Sequence, residues 1–156
     1  KLGVAPSTLN RVLTGASGPV IVIRMGSVYG AGRNDGVVSK FIDAVLAGDR
    51  PIVQGVGAQP LPLVHIYDVV TAVLRAVRGQ YDGQPPLQLH DAETHTVWGV
   101  LLAIADVSGR QLQPPIYAAR DGADYALDPK LPIIRPSSVS LVDGLRRAIA
   151  QHEETR

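Results

Sequence analysis

A run of apolar residues that leads directly into a glycine-rich loop constrains the fold of this chain more than any other feature. Residues 19–25 are almost continuously apolar, and the loop that follows contains Gly26, Gly30 and Gly32. Such a run is typical of a parallel strand covered on both faces. Ligands of open parallel sheets bind outside the carboxyl ends of the strands, and glycine lets backbone approach a ligand because it has no Cβ. The pattern therefore indicates either a ligand-binding loop or a plain tight turn, and the residues alone leave both open.

Helical periods alternate with short β-like segments along the rest of the chain. Further strands are expected at about 51–54, 61–66, 87–91 and 114–120. Apolar residues at helical spacing predict a helix closed by Gly48 and another closed by Gly109, with these side chains inward: Val38, Phe41, Ile42, Val45, Leu46, Val97, Val100, Leu101 and Ile104. A helix is also expected from about Tyr67 to Arg78, with these side chains directed inward: Val69, Val70, Val73, Leu74 and Val77. A last helix is marked by Leu141, Leu145, Ala148 and Ile149. The alternation predicts an α/β fold with at least some parallel pairing.

Composition limits the classes of function. The chain carries a formal net charge of +1 with basic and acidic residues interleaved, so no basic stripe is available to follow a nucleic-acid backbone. There is no cysteine, which excludes disulfides, thiolate zinc sites and thiol catalysis and suits a reducing compartment. No apolar run approaches the roughly 20 residues of a membrane span. We therefore expect a cytoplasmic protein that has neither a membrane nor a nucleic acid as its partner.

Four segments occur in a fixed order at natural spacing: RMGSVYGAGR, VVSKFIDAVLAGDRPIVQGVGAQ, LVHIYDVVTAVLRAV and LVDGLRRAI. Together they resemble the carboxyl-terminal half of the extended short-chain dehydrogenases, the NAD-dependent epimerase/dehydratase family, over most of residues 1–150. The resemblance implies the carboxyl-terminal part of a Rossmann-like doubly wound sheet plus a small α/β substrate-binding lobe. It assigns residues 1–50 to the end of the dinucleotide-binding domain. Residues 51–156 would form mostly the substrate-binding lobe, with some return to the main sheet.

The resemblance also implies NAD or NADP as cofactor and a catalytic role for Lys1. In the family, a Tyr-x-x-x-Lys helix lies some two dozen residues before the strand, and Lys1 stands at the right distance to be its lysine. That lysine holds the nicotinamide ribose and lowers the pKa of the tyrosine, because a nearby positive charge favours phenolate. The only methionine is Met25, so Lys1 is not an ordinary translation start. We expect the tyrosine and the phosphate-binding loop to lie upstream of this chain; the plain alternative is that Lys1 is merely a chain end.

The loop after the strand departs from the family pattern. Where the family has Pro-Gly-Asn or a close variant, this chain has Met25, Gly26 and Ser27. By resemblance, the backbone from Met25 to Val28 would lie near the nicotinamide and bind the cofactor. Ser27 would also contact the substrate, with shorter reach than the asparagine it replaces.

The remaining substrate-binding residues implied by the resemblance are Tyr29, Gln59 and Arg120. Arg120 would be an anion contact, although a solvated surface arginine is an equal alternative. Sugar-nucleotide members carry Arg-Asp where this chain has Leu61 and Pro62. Leucine cannot clasp a diphosphate, and loss of a charge-assisted hydrogen bond of about 1.5–3 kcal/mol would weaken binding ~10–100-fold. The substrate is therefore a small molecule, either a nucleotide sugar bound without that arginine or a less anionic alcohol or ketone.

The histidines favour structural roles. His65 is expected to pack or form hydrogen bonds at the sheet edge, and Asp68 to cap the helix that it opens. His90 and His95 flank two acidic residues, which suggests a metal site, but nothing in the sequence fixes their geometry. We expect a solvated loop there and no metal. Trp98 is expected to pack in the core.

Two functions stay open at this point. One is the substrate-side half of an NAD(P)-dependent epimerase, dehydratase or reductase whose amino-terminal cofactor half is absent from this chain. The other is a non-catalytic binding or interaction protein that retains the substrate lobe. Without a neighbour, the strand at 19–25 would be an apolar edge, so we expect the isolated chain to be poorly soluble or to form a homodimer.

Overall fold

The structure is a computed structural model that describes residues 20–32, 35–119, 127–134 and 139–154, together with Gly15 and Gly18. The strands of these residues are β1 (Ile23–Met25), β2 (Ser27–Tyr29), β3 (Ile52–Gln54), β4 (Pro60–Leu61), β5 (Leu63–His65), β6 (Leu87–Leu89), β7 (His95–Thr96), β8 (Ile116–Ala118) and β9 (Ile133–Ile134). The helices are α1 (Val37–Ala47), α2 (Ile66–Val77), α3 (Val97–Ser108) and α4 (Leu141–Glu154). Strands and helices alternate, as the sequence predicts.

Parallel pairing dominates the sheets. β1, β6 and β9 form a three-stranded parallel sheet in the order β1–β6–β9. β2 pairs with β5 and β3 with β8, both parallel, whereas β4 and β7 form a short antiparallel pair. Among the described strands, β1 pairs with β6 alone, so β1 forms one edge of its sheet.

The apolar run predicted as a strand at 19–25 contributes β1, and the glycine-rich segment predicted as a loop contains a further strand, β2. β1 pairs with β6 in the register Met25↔Leu89. One residue later, β2 pairs with β5 in the register Ser27↔Leu63. The chain therefore changes partner at Gly26, which lies between the two strands.

The helix boundaries agree closely with the periodic pattern. Both α1 and α3 end at a glycine in the left-handed region, Gly48 with φ 73° and Gly109 with φ 64°. At the start of α3, the Thr96 hydroxyl accepts a hydrogen bond from Gly99 N at 2.9 Å. Over the described parts of the chain, we find no helix whose length and apolar character would let it span a bilayer.

The larger core, which we call the helix-side cluster, lies between α1, α3 and α4. The apolar residues predicted inward on α1 and α3 are buried or half-buried there. Its buried members are Tyr29, Val38, Phe41, Ile42, Val45, Val53, Leu61, Leu63, Val97, Val100, Leu101, Ile104, Leu145 and Ile149. Trp98 packs against this cluster, as predicted from the sequence.

The smaller core, the sheet-side cluster, consists of Val64, Ala72, Leu87, Leu89 and Ile134. Between its two leucines, the buried Gln88 side chain holds the 127–134 segment. Its Nε2 donates to Asp128 O at 2.7 Å, and its Oε1 accepts from Asp128 N at 2.9 Å. This segment thus contributes β9 to the sheet.

The inward orientation predicted for α2 is wrong for most of its apolar face. Asp68 and Ala72 are the buried residues of α2, and its contacts are with β5 and β2. The exposed residues of the helix are instead Tyr67, Val70, Val73, Leu74 and Val77. A period of 3.6 residues identifies an apolar stripe but not the element that covers it. Here the helix meets the sheet through a different face.

Candidate functional site

Three segments of backbone cross at the carboxyl end of the β1–β6–β9 sheet. They are Gly26 after β1, Pro62 before β5, and His90 with Asp91 after β6; we call this crossing the sheet-end junction. Gly26 N donates to Leu89 O at 2.9 Å and Ser27 N donates to Pro62 O at 2.7 Å. Asp91 N donates to Leu63 O at 2.7 Å. The junction is therefore fixed by main-chain bonds at the edge where open parallel sheets bind their ligands.

Gly26 is required by the closeness of this crossing. A Cβ at this position would lie 2.8 Å from Pro62 O and 3.4 Å from the Cβ of His90. The absence of a side chain thus allows one strand to pack directly on another segment of backbone. Close packing of backbone on backbone, and not a tight turn, accounts for Gly26, and contact of the loop with a ligand stays a prediction.

The residues predicted to bind the cofactor follow one another through the junction. The Met25 side chain is 42% exposed at the free edge of β1. Ser27 and Val28 are half-buried, and Val28 packs against the sheet-side cluster. Lys1, the predicted catalytic and cofactor-binding residue, lies outside the described residues. The cofactor assignment of these positions stays a prediction.

The residues predicted to bind substrate lie in separate surroundings. Ser27 and Tyr29 share β2, but the Tyr29 side chain is buried, with 1% of its surface exposed. Gln59 Nε2 donates to Gln54 O at 2.6 Å and so closes the turn between β3 and β4. Arg120 lies outside the described residues. Tyr29 and Gln59 each have a packing or turn-closing role, and their contact with a substrate stays a prediction.

Tyr29 and His65 form a buried edge-to-face pair at the carboxyl ends of β2 and β5, with ring centroids 5.2 Å apart. Burial, then the carboxylates of Asp91 and Asp68, raises the pKa of the Tyr29 hydroxyl, which therefore stays protonated. Burial also lowers the pKa of His65, in opposition to the nearby Asp68. Tyr29 is thus unsuited to act as a phenolate base near neutral pH.

His65 also supplies the cap that the sequence assigned to Asp68. The Nδ1 atom of His65 accepts a hydrogen bond from Tyr67 N at 3.3 Å at the start of α2. Asp68 lies in the first turn, where a carboxylate is favoured by the helix dipole. The structural role predicted for His65 is confirmed, whereas the capping atom comes from His65 and not from Asp68.

The burial of Asp91 was not predicted from the sequence. The expected solvated loop is wrong for His90 and Asp91, which are each 8% exposed. His90 Nδ1 lies 2.7 Å from Asp91 O, and His95 Nε2 lies 3.8 Å from Asp91 Oδ2. Burial, then the carboxylates of Asp68 and Glu93, raises the pKa of Asp91 from 3.8 to about 7. Asp91 can therefore exchange a proton near neutral pH.

One signal in the sequence could have indicated this burial. His90 and Asp91 directly follow the apolar strand residues Leu87 and Leu89, and the strand itself was predicted to extend to 91. A polar pair that continues a buried strand is a candidate for burial, whereas flanking charges alone indicate a loop. Within the described residues, no group of three or more His, Cys, Asp or Glu is placed to hold a metal ion.

The position that replaces the family's arginine is also buried. Leu61 lies in the helix-side cluster and pairs with His95 across the β4–β7 ladder. It offers no hydrogen-bond donor and no positive charge. The titratable groups near this position are instead those of Asp91 and His95. The site can exchange protons and accept hydrogen bonds, but Leu61 contributes nothing to the binding of a diphosphate.

Comparison with protein families gives a match over residues 9–89, just over half of the chain. The matching description is that of the NAD dependent epimerase/dehydratase family. This chain belongs to that family. The resemblance noted in the sequence is therefore confirmed. A search of curated proteins gave no significant match.

Solved structures extend the epimerase/dehydratase likeness to nearly the whole chain. MoeE5, in complex with UDP-glucose and NAD, is 24% identical with a TM-score of 0.80, over 98% of this chain and 55% of its own. A UDP-glucose 4-epimerase from Thermotoga maritima is 22% identical with a TM-score of 0.74, over 96% of this chain and 50% of its own. A UDP-glucuronic acid 4-epimerase from Bacillus cereus is 18% identical with a TM-score of 0.76, over 96% of this chain and 50% of its own.

At these identities the likeness shows the fold, and the Rossmann-like α/β class predicted from the sequence is confirmed. The chain spans about half the length of the solved structures that it matches.

Proposed function

We propose that this chain is the substrate-side half of an NAD(P)-dependent epimerase, dehydratase or reductase. A further stretch of polypeptide would contribute the cofactor-binding half. In this proposal residues 1–50 form the end of the dinucleotide-binding domain, and residues 51–156 form most of the substrate-binding lobe. Membership of the family and the half-length match to NAD-bound relatives support this division of labour.

The observation that carries the proposal is an apolar surface that the described residues leave largely exposed. It consists of the free edge of β1, with Val20 and Met25, and of the exposed stripe of α2: Tyr67, Val70, Val73, Leu74 and Val77. A free parallel edge can accept a further strand, and an exposed apolar stripe can accept a further helix. Both features are those expected where a second α/β half packs on this one.

The residues at the free edge suit one end of a dinucleotide. Met25 presents an apolar side chain against which a flat aromatic ring can pack, and Ser27 adds a hydroxyl group next to the junction. These residues, with the backbone of Gly26 and Val28, would hold the nicotinamide end, and Lys1 would bind its ribose. When bound, NAD(P) supplies hydride transfer.

For the substrate we propose a nucleotide sugar or a related alcohol or ketone. The solved relatives include complexes with UDP-glucose and UDP-glucuronic acid, which supports the first class. The buried Leu61 supports a substrate that is less dependent on a charged contact at this position. Ser27, Gln59 and Arg120 are the proposed substrate contacts of this chain.

The decisive experiment uses the native protein. Its intact mass would be measured first, and its binding of NAD or NADP and its conversion of UDP-glucose, followed by loss of the starting nucleotide sugar, would be measured next. We expect a polypeptide of roughly twice this length, since the chain covers about half of each relative. A native product that comprises this chain alone and neither binds NAD(P) nor transfers hydride would refute the proposal. That result would favour the non-catalytic binding function.

A pair of variants tests the substrate contact within the native enzyme. Ser27→Ala removes one hydrogen bond, so we expect KM for the substrate to rise on the order of 5–10-fold. Ser108→Ala is the matched control, because the Ser108 hydroxyl donates to Ala105 O within its own helix. Equal KM values for the two variants would remove Ser27 from the substrate site.

The apolar surface can be tested in the isolated chain. We expect self-association or poor solubility, and Val73→Lys with Val77→Lys should reduce it. Leu102→Lys with Val142→Lys is the matched control, since these residues are also exposed but lie on α3 and α4. Sedimentation velocity would compare the variants. A wild-type chain that sediments as a single monomer would contradict the proposed use of this surface.

A further inference from the structure

Asp91 occupies a place in the sheet-end junction where an ionised carboxyl group is poorly satisfied. Its side chain is nine-tenths buried, and its Oδ2 atom has no hydrogen-bond partner among the described residues. Its backbone is fixed on both sides, because Asp91 N donates to Leu63 O and Asp91 O lies 2.7 Å from His90 Nδ1. The Oδ2 atom is therefore shielded from water while residues 90–94 keep this position.

The groups that face Asp91 contribute more negative charge than positive charge. Its own loop contributes the carboxylate of Glu93 and the imidazole of His90, and α2 contributes the carboxylate of Asp68. β2 and β5 contribute the buried hydroxyl of Tyr29 and its partner His65. β7 contributes His95, whose Nε2 is 3.8 Å from Asp91 Oδ2.

A proton on Asp91 removes this conflict. The neutral carboxyl group is cheaper to bury and no longer repels Asp68 and Glu93. His95 is the acceptor that is available to it, because burial, opposed by Glu93, lowers the pKa of His95 and so favours the neutral imidazole. A small closure of the 3.8 Å gap would let Asp91 Oδ2 donate to His95 Nε2.

We propose that Asp91 and His95 form a proton-dependent latch that holds residues 90–94 against the sheet-end junction. With the proton bound, the latch is closed and the loop is packed beside Pro62 and Gly26. When the proton leaves, the buried carboxylate faces two other carboxylates, and the loop is released toward water.

The latch acts where the proposed ligand site begins but does not depend on any ligand. His90 belongs to the latched loop, and a Cβ on Gly26 would lie only 3.4 Å from its Cβ. Release of the loop therefore loosens the backbone crossing that positions Met25 and Ser27. The latch would make the mobility of the sheet-end junction depend on pH, whether or not the protein acts on a nucleotide sugar.

Amide hydrogen exchange of the full chain tests the latch directly. After correction for the intrinsic rate, the protection of amides at 91–95 should fall roughly tenfold per pH unit between about pH 5 and about pH 7. It should then level off, because the pKa of Asp91 in the closed state is about 7. Asp91→Asn should abolish this pH dependence. Asp106→Asn, which removes an exposed carboxyl group on α3, should retain it.

Variants of His95 separate a latch from simple burial of a carboxyl group. His95→Ala removes the acceptor, so protection of the loop at about pH 5 should fall toward its alkaline level. His95→Gln restores an acceptor and should recover most of that protection. Equal protection in all three proteins at acid pH would overturn the role of His95.

A second measurement needs no variant. The side-chain carboxyl carbon of Asp91 would be titrated by NMR in the wild-type chain. A midpoint near 7, shared with the loss of loop protection, supports the latch. A midpoint near the ordinary aspartate value of about 3.9, or loop protection that does not change with pH, would overturn it.

Discussion

The helix-side cluster and the sheet-side cluster are built from similar apolar residues but differ in how they are enclosed. In the first, α1 and α3 turn their apolar faces toward each other and toward α4, and Leu101 and Leu145 are fully buried. In the second, α2 packs on the sheet through Ala72 and leaves Val70, Val73, Leu74 and Val77 exposed. α2 contacts the β2–β5 pair, and the neighbouring β1–β6–β9 sheet ends at the free edge of β1.

The region around α1, α3 and α4 therefore closes its own core, whereas the region around α2 does not. The helices α1, α2 and α3 carry the same kind of apolar stripe in the sequence. The stripes of α1 and α3 are covered by other helices of this chain, whereas the described residues leave the stripe of α2 largely exposed. We infer that the sequence specifies the helices equally well in the two regions. The regions differ in whether this chain supplies another element that covers the apolar stripe of the helix.

The largest expected effect comes from a matched pair of leucine truncations. Leu101→Ala on α3 should lower the free energy of unfolding by about 2–5 kcal/mol, because it leaves a cavity in a closed core. Leu74→Ala on α2 should cost less than about 1 kcal/mol in the isolated chain at dilutions where it is monomeric, since Leu74 is 50% exposed. Urea unfolding monitored by circular dichroism would give both values.

The same two variants can also show that the two regions do not differ in enclosure. If Leu74→Ala costs as much as Leu101→Ala, the stripe of α2 is covered in solution, either by a second copy or by another part of the protein. A dependence of that cost on protein concentration would identify self-association as the reason.

The next prediction concerns the boundary between the two regions, where Asp91 bonds to Leu63 of the helix-side cluster. Because the folded pKa of Asp91 is raised to about 7 from 3.8, the folded state binds the proton more tightly than the unfolded state. The contribution of Asp91 to stability should therefore fall as pH rises from about 4 to about 7 and change little above that range. At about 1.36 kcal/mol for each pKa unit, the loss is on the order of 3–4 kcal/mol.

Asp91→Asn provides the measurement, with unfolding followed at several pH values. The variant should be more stable than wild type at alkaline pH and should lose this part of the pH dependence. An Asp91→Asn variant whose stability relative to wild type does not rise between about pH 4 and about pH 7 would contradict the buried position of this carboxyl group.

The sequence predicted the fold well where an element contains its own stop signals. Gly48 and Gly109 mark the ends of α1 and α3, and both adopt the left-handed conformation that favours glycine. The apolar run before Gly26 predicted a strand but not that the chain exchanges partners at this glycine. Partner exchange depends on the distant residues Leu63 and Leu89, so local periodicity carries no information about it.

The site was less predictable because its properties arise from burial. Asp91 and His95 are separated by three residues, and the one signal that Asp91 would be shielded from water was its place directly after a buried strand. Tyr29 follows a glycine-rich pattern that suggests a ligand contact, yet its ring packs on His65. Lys1 and Arg120 depend on family resemblance alone and lie outside the described residues.

A smaller effect would measure how tightly the helix-side cluster is closed. A Cβ on Gly144 of α4 would lie 2.6 Å from the hydroxyl oxygen and 2.9 Å from Cε2 of Tyr29. Gly144→Ala should therefore cost about 1–3 kcal/mol through overpacking. Tyr29→Phe in the same chain should recover part of that cost, since it removes the nearer atom. Additive effects of the two changes would show that α4 moves away from Tyr29 as a whole.

The smallest expected effect tests whether surface charge contributes to the closure of the helix-side cluster. His152 Nε2 of α4 lies 3.0 Å from Asp43 Oδ1 of α1, and both side chains are partly exposed. An exposed pair of this kind contributes about 0.2–1 kcal/mol and is screened by salt. His152→Gln should therefore change the free energy of unfolding far less than Leu101→Ala does. If its cost exceeded that of the leucine truncation, the enclosure of this region would depend on the α1–α4 ion pair and not on the packing of α3 between them.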